Sequence, residues 1–196
     1  GMCEPRFNLD GIQSTTNPAG VAQASSLAKA YQEAWETDSL SAFGGIVGLN
    51  RRVDITTARR ILKSGFMECI LAPGYEPQAI ELLQGKKNLR LLEVLFDSQR
   101  SKEDLDFKKI DGGILIQEPD LDDFKMEDLK VVTRKKPTQK ETASLIFAWK
   151  VVRHVKSNAI VLARATKTVG IGMGQTSRVD SVFMAIKRAG LRAKGA

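Results

Sequence analysis

Short apolar runs alternate with helix-length segments along this chain, and that alternation constrains its fold more than any other feature. Phe66–Ala72 is apolar apart from Glu68, is bounded by Pro73-Gly74, and is too short for a helix, so it predicts a buried strand. Ile46–Leu49, Leu89–Val94, Gly113–Gln117, Ala159–Ala163 and Thr168–Ile171 read the same way, while Leu129–Thr133 is a short strand or a linker. Helices are predicted between them. One runs over 24–36 with Leu27, Ala30, Tyr31 and Ala34 on one face; another covers 55–64 and is entered through Asp54. Pro77 opens a third, which closes near Gly85. Thr138-Gln-Lys-Glu141 is a capping box for a helix reaching Val155, with Leu145, Ala148, Trp149 and Val152 as its apolar stripe. A last helix spans 178–189. Residues 4–20, 98–111 and 118–130 carry turn formers or unpatterned charge and read as irregular. The expected class is α/β, a central sheet with helices on both faces.

Composition narrows the function. The 196 residues are 42% hydrophobic and 27% charged, as in an ordinary globular domain, here read as one domain over 1–196 with an irregular N-terminal segment to about residue 22. The net charge of +7 suits anionic partners: phosphates, polyglutamates, nucleic acid or anionic membrane. Arg134-Lys135-Lys136 and Arg188–Lys194 lack aromatic interleaving and read as solvated surface charge, so no nucleic-acid partner is expected. No apolar stretch approaches the ~20 residues that span a bilayer, and no membrane partner is expected. Gly1 ahead of Met2 reads as a processing scar. Cys3 and Cys69 cannot build a disulfide framework, which suits a reducing, cytoplasmic setting. With a single His154, read as an exposed helix-terminal residue, neither a standard zinc site nor a Ser-His-Asp hydrolase is expected.

Four places carry chemistry. In Gly170–Asp180 glycines alternate, then Ser177-Arg178-Val-Asp180 starts a helix. Free N–H groups at a helix N-terminus beside Arg178 suit an anion; a tight strand–helix connection is the plainer account of the glycines alone. Asn158, in Lys156-Ser157-Asn158, either caps the helix end or enters a strand as a polar amide that needs partners. The Ser39–Gly45 loop is small enough for a ligand to approach its backbone. Glu68 is either a surface-facing residue of its strand or a purposeful acid.

Taken together, Asp38-Ser-Leu-Ser-Ala-Phe-Gly-Gly-Ile-Val, Ile70-Leu-Ala-Pro-Gly-Tyr, Lys156-Ser-Asn-Ala-Ile-Val-Leu-Ala and Val169-Gly-Ile-Gly-Met-Gly-Gln-Thr-Ser-Arg-Val-Asp-Ser resemble the AICAR transformylase domain of the bifunctional purine-biosynthesis enzyme. Asn17-Pro18-Ala19-Gly20 is similar to that family's Asn-Pro-Cys-Gly turn, and the likeness covers about residues 14–190. The resemblance implies a cytidine-deaminase-like α/β fold. It also implies transfer of a formyl group from the co-substrate 10-formyltetrahydrofolate to the exocyclic amine of AICAR, without a metal. By motif position Asn158 is the catalytic asparagine. Asn17, Leu40, Phe43, Gly44 and Glu68 line the AICAR site. Gly172, Gly174, Gln175, Ser177 and Arg178 face the anion or folate. The partners implied are a small anionic purine precursor, a folate, and a second copy in a homo-oligomer or a complementing lobe.

Two departures bear on activity. The family's Lys-His pair before the Asn-Pro turn is here Ser14 and Thr15. AICAR's amine is a weak nucleophile, and loss of a positioned base costs about 10²–10⁴-fold. The family's cyclohydrolase domain, an arginine-bearing phosphate segment and a Phe-Pro-Phe-Arg-Asp motif at the folate site also have no counterpart. A degenerate formyltransferase is therefore expected, or alternatively a non-catalytic ligand-binding or regulatory module.

Overall fold

A computed structural model describes residues 10–14, 17–94, 105–119 and 125–196. The chain divides into two compact units: Leu95–Lys136, and the remainder on either side of it. In the larger unit the strands are β1 (Asp10–Ser14), β2 (Asn17–Ala22), β3 (Ile46–Gly48), β4 (Cys69–Ala72), β5 (Arg90–Glu93), and, beyond the smaller unit, β8 (Ile160–Arg164) and β9 (Lys167–Gly172). Its helices are α1 (Leu27–Trp35), α2 (Ser39–Ala42), α3 (Ile55–Lys63), α4 (Pro77–Gln84), α5 (Gln139–Val152) and α6 (Arg178–Ala189). The smaller unit holds an antiparallel hairpin, β6 (Asp106–Ile110) and β7 (Gly113–Gln117), and a 3-10 turn at Met126–Asp128.

Seven strands form one sheet in the order β5-β4-β3-β1-β2-β9-β8. β3, β4 and β5 are parallel, with α3 and α4 as crossovers, while β1 is antiparallel to both of its neighbours. Helices lie on both faces. One face carries the main core, where Leu27, Tyr31 and Ala34 of α1 meet Ile61 of α3, Leu83 of α4 and the sheet residues Val47 and Ile70. The other carries a smaller cluster of Val21, Phe147, Val151 and Ala163 under α5. Caps fix the helix starts: Asp54 Oδ1 accepts the Thr57 N–H at 2.6 Å, Ser177 Oγ that of Asp180 at 3.1 Å, and Thr138 with Glu141 completes its capping box. Each such cap stabilises by about 1 kcal/mol. Tyr75 ties β4 to β5, its hydroxyl donating to the carbonyls of Ile70 at 2.8 Å and Leu92 at 3.1 Å.

Four expectations need correction. Ser39–Ala42, expected within a loop, is the one-turn helix α2, capped by Asp38. Residues 10–14 and 17–22 are strands rather than irregular structure. In β2 the small residue Gly20 is there for packing: a Cβ on it would stand 1.9 Å from the Ala34 carbonyl oxygen. Residues 106–110 are a strand, not a loop. On α5 the buried residues are Phe147 and Val151, while the expected Leu145 and Trp149 are 61% and 60% exposed. The helix is apolar on several sides, so periodicity alone did not select the side that meets the sheet.

The α6 contact is equally tight. A Cβ at Gly172 would lie 1.9 Å from Ser181 O, and one at Gly170 2.3 Å from Ala185 O. Overpacking of this kind costs about 1–3 kcal/mol, so Gly172→Ala should lower the urea midpoint accordingly; an unchanged midpoint would show that α6 yields freely. A second expectation concerns alkaline pH. Burial pushes the hydroxyls of Tyr31 and Tyr75 from 10.0 up to about 12. The unfolded chain ionises these groups first, so their contribution is complete below pH 10 and is lost between pH 10 and 12. Denaturant titrations across that window should show stability falling, and less steeply in Tyr31→Phe.

Candidate functional site

Strand register brings the candidate residues to one rim of the sheet. Ser14 pairs with Asn17, Gln13 with Ile46, Ile46 with Cys69 and Ile160 with Gly172. The starts of β2, β3, β4 and β8 and the ends of β1 and β9 therefore lie together, because antiparallel neighbours reverse direction there. Ser14 is at this rim, while Thr15 falls outside the described residues.

One half of the rim is built around Asn158. Its Nδ2 donates to the carbonyl oxygens of Gln175 at 2.9 Å and Thr176 at 3.0 Å, which fixes the amide orientation. Its backbone N–H donates to Gln175 O, and its carbonyl accepts the Ser181 hydroxyl at 2.6 Å. Oδ1 is left without a bond to the described residues. The Ser157–Asn158 peptide is cis. Asn17 joins from β2, its Oδ1 accepting the Lys156 N–H at 2.8 Å, and Gly174 N–H donates to Lys156 O at 2.8 Å. Asn17, Asn158, Gly174, Gln175 and Ser177 thus form one connected group, with Arg178 exposed at the first turn of α6.

The glycines divide between the two readings. Gly170 and Gly172 are buried where α6 crosses β9, which is the structural explanation. Gly174 has φ +64 and open space where a Cβ would be, so it serves the turn itself and leaves its surroundings accessible.

The other half of the rim lies at β3 and β4. Gly44, at φ +71, donates its N–H to Phe66 O at 2.9 Å, and Glu68 N–H donates to Gly45 O at 3.2 Å. The Phe43 and Phe66 rings pack with centroids 5.9 Å apart. Leu40 and Phe43 are 88% and 63% exposed, and Glu68 is exposed at the start of β4, its backbone held in the ladder. Glu68 precedes β4 and Asn158 precedes β8, and the Asn17–Lys156 bond draws the Asn158 segment toward the start of β2. Among the described residues no three His, Cys, Asp or Glu side chains gather as a metal site, and no helix is long and apolar enough to cross a membrane. Cys69 is a buried free thiol, and burial pushes its pKa up; Cys3 lies outside the described residues.

The reading of Arg188–Lys194 as solvated charge is overturned at Arg188 and Arg192, while Lys194 is exposed. Arg188 Nη1 bonds the Asp38 carboxylate and, at 2.7 Å, Ser41 Oγ. Arg192 bonds the carbonyls of Glu36 and, at 3.0 Å, Thr37. Spacing along the sequence gave no signal for these contacts, which join positions about 150 apart. His154 is exposed just past α5, and Arg134–Lys136 are exposed, as expected.

Known proteins share this arrangement of residues in sequence. The family described as AICARFT/IMPCHase bienzyme matches residues 11–188. The chain is 52% identical over 180 residues to the bifunctional purine biosynthesis protein PurH of a Thermoanaerobacter species, covering 92% of this chain and 35% of that protein. It is 48% identical over 185 residues to the PurH of a Cyanothece species, covering 94% and 35%, and 49% identical over 181 residues to that of Sorangium cellulosum, covering 92% and 34%. The chain spans about a third of the length of these relatives.

Asn158→Asp would remove both side-chain donors and set a carboxylate against two carbonyl oxygens. We expect a stability loss of about 1–3 kcal/mol and faster amide exchange at Asn158 and Gly174. Unchanged exchange would mean that the backbone bonds alone hold this turn.

Proposed function

This chain belongs to the AICARFT/IMPCHase bienzyme family, and from that premise we propose that it serves purine biosynthesis as part of a formyl-transfer site for AICAR and 10-formyltetrahydrofolate. The observation that carries the reading is the Asn158 group: an amide oriented by two carbonyls, facing a glycine turn at the N-terminus of α6 beside Arg178. The run β2-β1-β3-β4-β5, with β1 alone reversed, supports the cytidine-deaminase-like fold that the resemblance implies.

In this reading Asn158 Oδ1 orients the amine of AICAR, while the α6 N-terminus and Arg178 receive negative charge from the folate side. Gly44 and Phe43 offer backbone and ring edge to the purine precursor, and Glu68 offers an acceptor. The reading includes a site completed by another copy or a complementing lobe, in a cytoplasmic homo-oligomer. When bound, the folate supplies the formyl group; the chain's own groups bind and orient.

Ser14 and Thr15 favour a second reading. Neither hydroxyl titrates near neutrality, so neither replaces the family's Lys-His pair as a proton acceptor. A non-catalytic binding or regulatory module keeps the rim and lacks the base. Calorimetry with AICAR and with a folate analogue tests binding, and a formyl-transfer assay separates the two readings. Arg178→Ala should weaken the folate analogue by roughly ten- to a hundred-fold, the worth of one charge-assisted hydrogen bond, with the fold intact because Arg178 is exposed. The site would be misplaced if that variant bound normally while Lys135→Ala abolished binding. Ser14→Lys with Thr15→His should raise turnover if only the base is missing.

A further inference from the structure

The Ser39–Gly45 segment, helix α2 and the turn after it, has little burial to hold it. Only Ala42 and Gly45 within it are buried, and Leu40 stands 88% exposed. Its position therefore rests on polar ties at both ends. At the rim end these are the Gly44–Phe66 and Glu68–Gly45 backbone bonds. At the other end Asp38 divides its carboxylate: Oδ1 accepts the Ser41 N–H at 3.1 Å and caps α2, and Oδ2 receives Arg188 of α6. The same guanidinium nitrogen reaches Ser41 Oγ at 2.7 Å. Arg192 fastens the preceding turn through the carbonyls of Glu36 and Thr37, and is itself steadied by the Arg188 carbonyl at 3.1 Å. The Asp38 side chain is 11% exposed and that of Arg188 30%, so this ion pair is partly shielded from solvent, where such pairs are strongest.

We propose that Arg188 is a positioning residue: from α6 it holds Asp38 and Ser41, and so sets the placement of the Phe43–Gly45 backbone at the rim. α6 is also the helix whose first turn carries Ser177 and Arg178, and it is fixed to β9 through Gly170 and Gly172. One rigid helix thus places both halves of the rim, the Asn158 half by its N-terminus and the Ser39–Gly45 half by Arg188. The purpose of this placement rests on the AICAR reading; the clamp itself does not.

The test compares Arg188→Ala and Arg188→Lys by amide hydrogen exchange and by calorimetry with AICAR and a folate analogue. In Arg188→Ala, exchange at Ser41, Ala42, Gly44 and Gly45 should rise about tenfold while Val47 and Ile70 keep their protection. AICAR affinity should fall about tenfold, the loss expected for one charge-assisted bond, and folate-analogue affinity should hold. Arg188→Lys, which keeps the charge beside Asp38, should recover most of both changes. Wild-type exchange in this segment of Arg188→Ala overturns the proposal, as does equal loosening of Val47 and Ile70, which would make Arg188 a general stabiliser. Failure of the wild-type chain to bind AICAR would instead count against the functional reading, and the exchange result would still decide the clamp.

Discussion

At three glycines helix backbone packs directly against strand backbone, and most of the architecture depends on it. At Gly20, Gly170 and Gly172 no side chain separates the sheet from α1 or α6. Helices held at ordinary side-chain spacing would sit several ångströms farther out. The Arg188 and Arg192 contacts to the α1–α2 connection need α6 beside it at this depth, as does the Ser181 bond to the Asn158 carbonyl. The glycines are thus conditions for the placement of these contacts.

A buried polar network works in the same layer. Thr37 Oγ1 lies 2.8 Å from both the carbonyl oxygen and Oγ1 of Thr168, and Thr168 Oγ1 also meets the N–H and carbonyl of Val21. β2 and β9 share only the Ala22–Lys167 pair, so these hydroxyls stand in for ladder bonds that the two strands do not make. Leaving such groups buried and unpaired would cost about 1–3 kcal/mol each. They also bring the end of α1 onto the sheet, where Arg192 finds its carbonyls.

The elements legible in the sequence were those whose local chemistry agrees with their final state. Asp54, Thr138 and Pro77 announce helix starts, and the β4 and β9 apolar runs announce strands. β2 was missed because a strand that must admit a helix backbone carries glycine, proline and alanine, which are also the residues of turns, and β1 because Asp10, Gly11 and Ser14 are turn formers as well. The phase of α5 was missed because Leu145 and Trp149 are as apolar as Phe147 and Val151. Within the candidate site, Asn158 and the glycine turn stood out as local motifs. The joining of Asn17 to Lys156, and of Arg188 to Asp38, belongs to tertiary structure alone.

Asn17 and Lys156 are 139 positions apart, and β2 pairs with a strand that begins at Lys167. As the chain leaves a ribosome, β3, β4 and β5 with α3 and α4 can assemble early, since their contacts are comparatively local. The rim cannot. Until β8 and β9 emerge, one edge of β2 lacks its neighbour, and unpaired edges of this kind invite strands from other chains. The order in which this fold is synthesised thus leaves the β2 edge among the last of the sheet to close and long exposed to wrong partners.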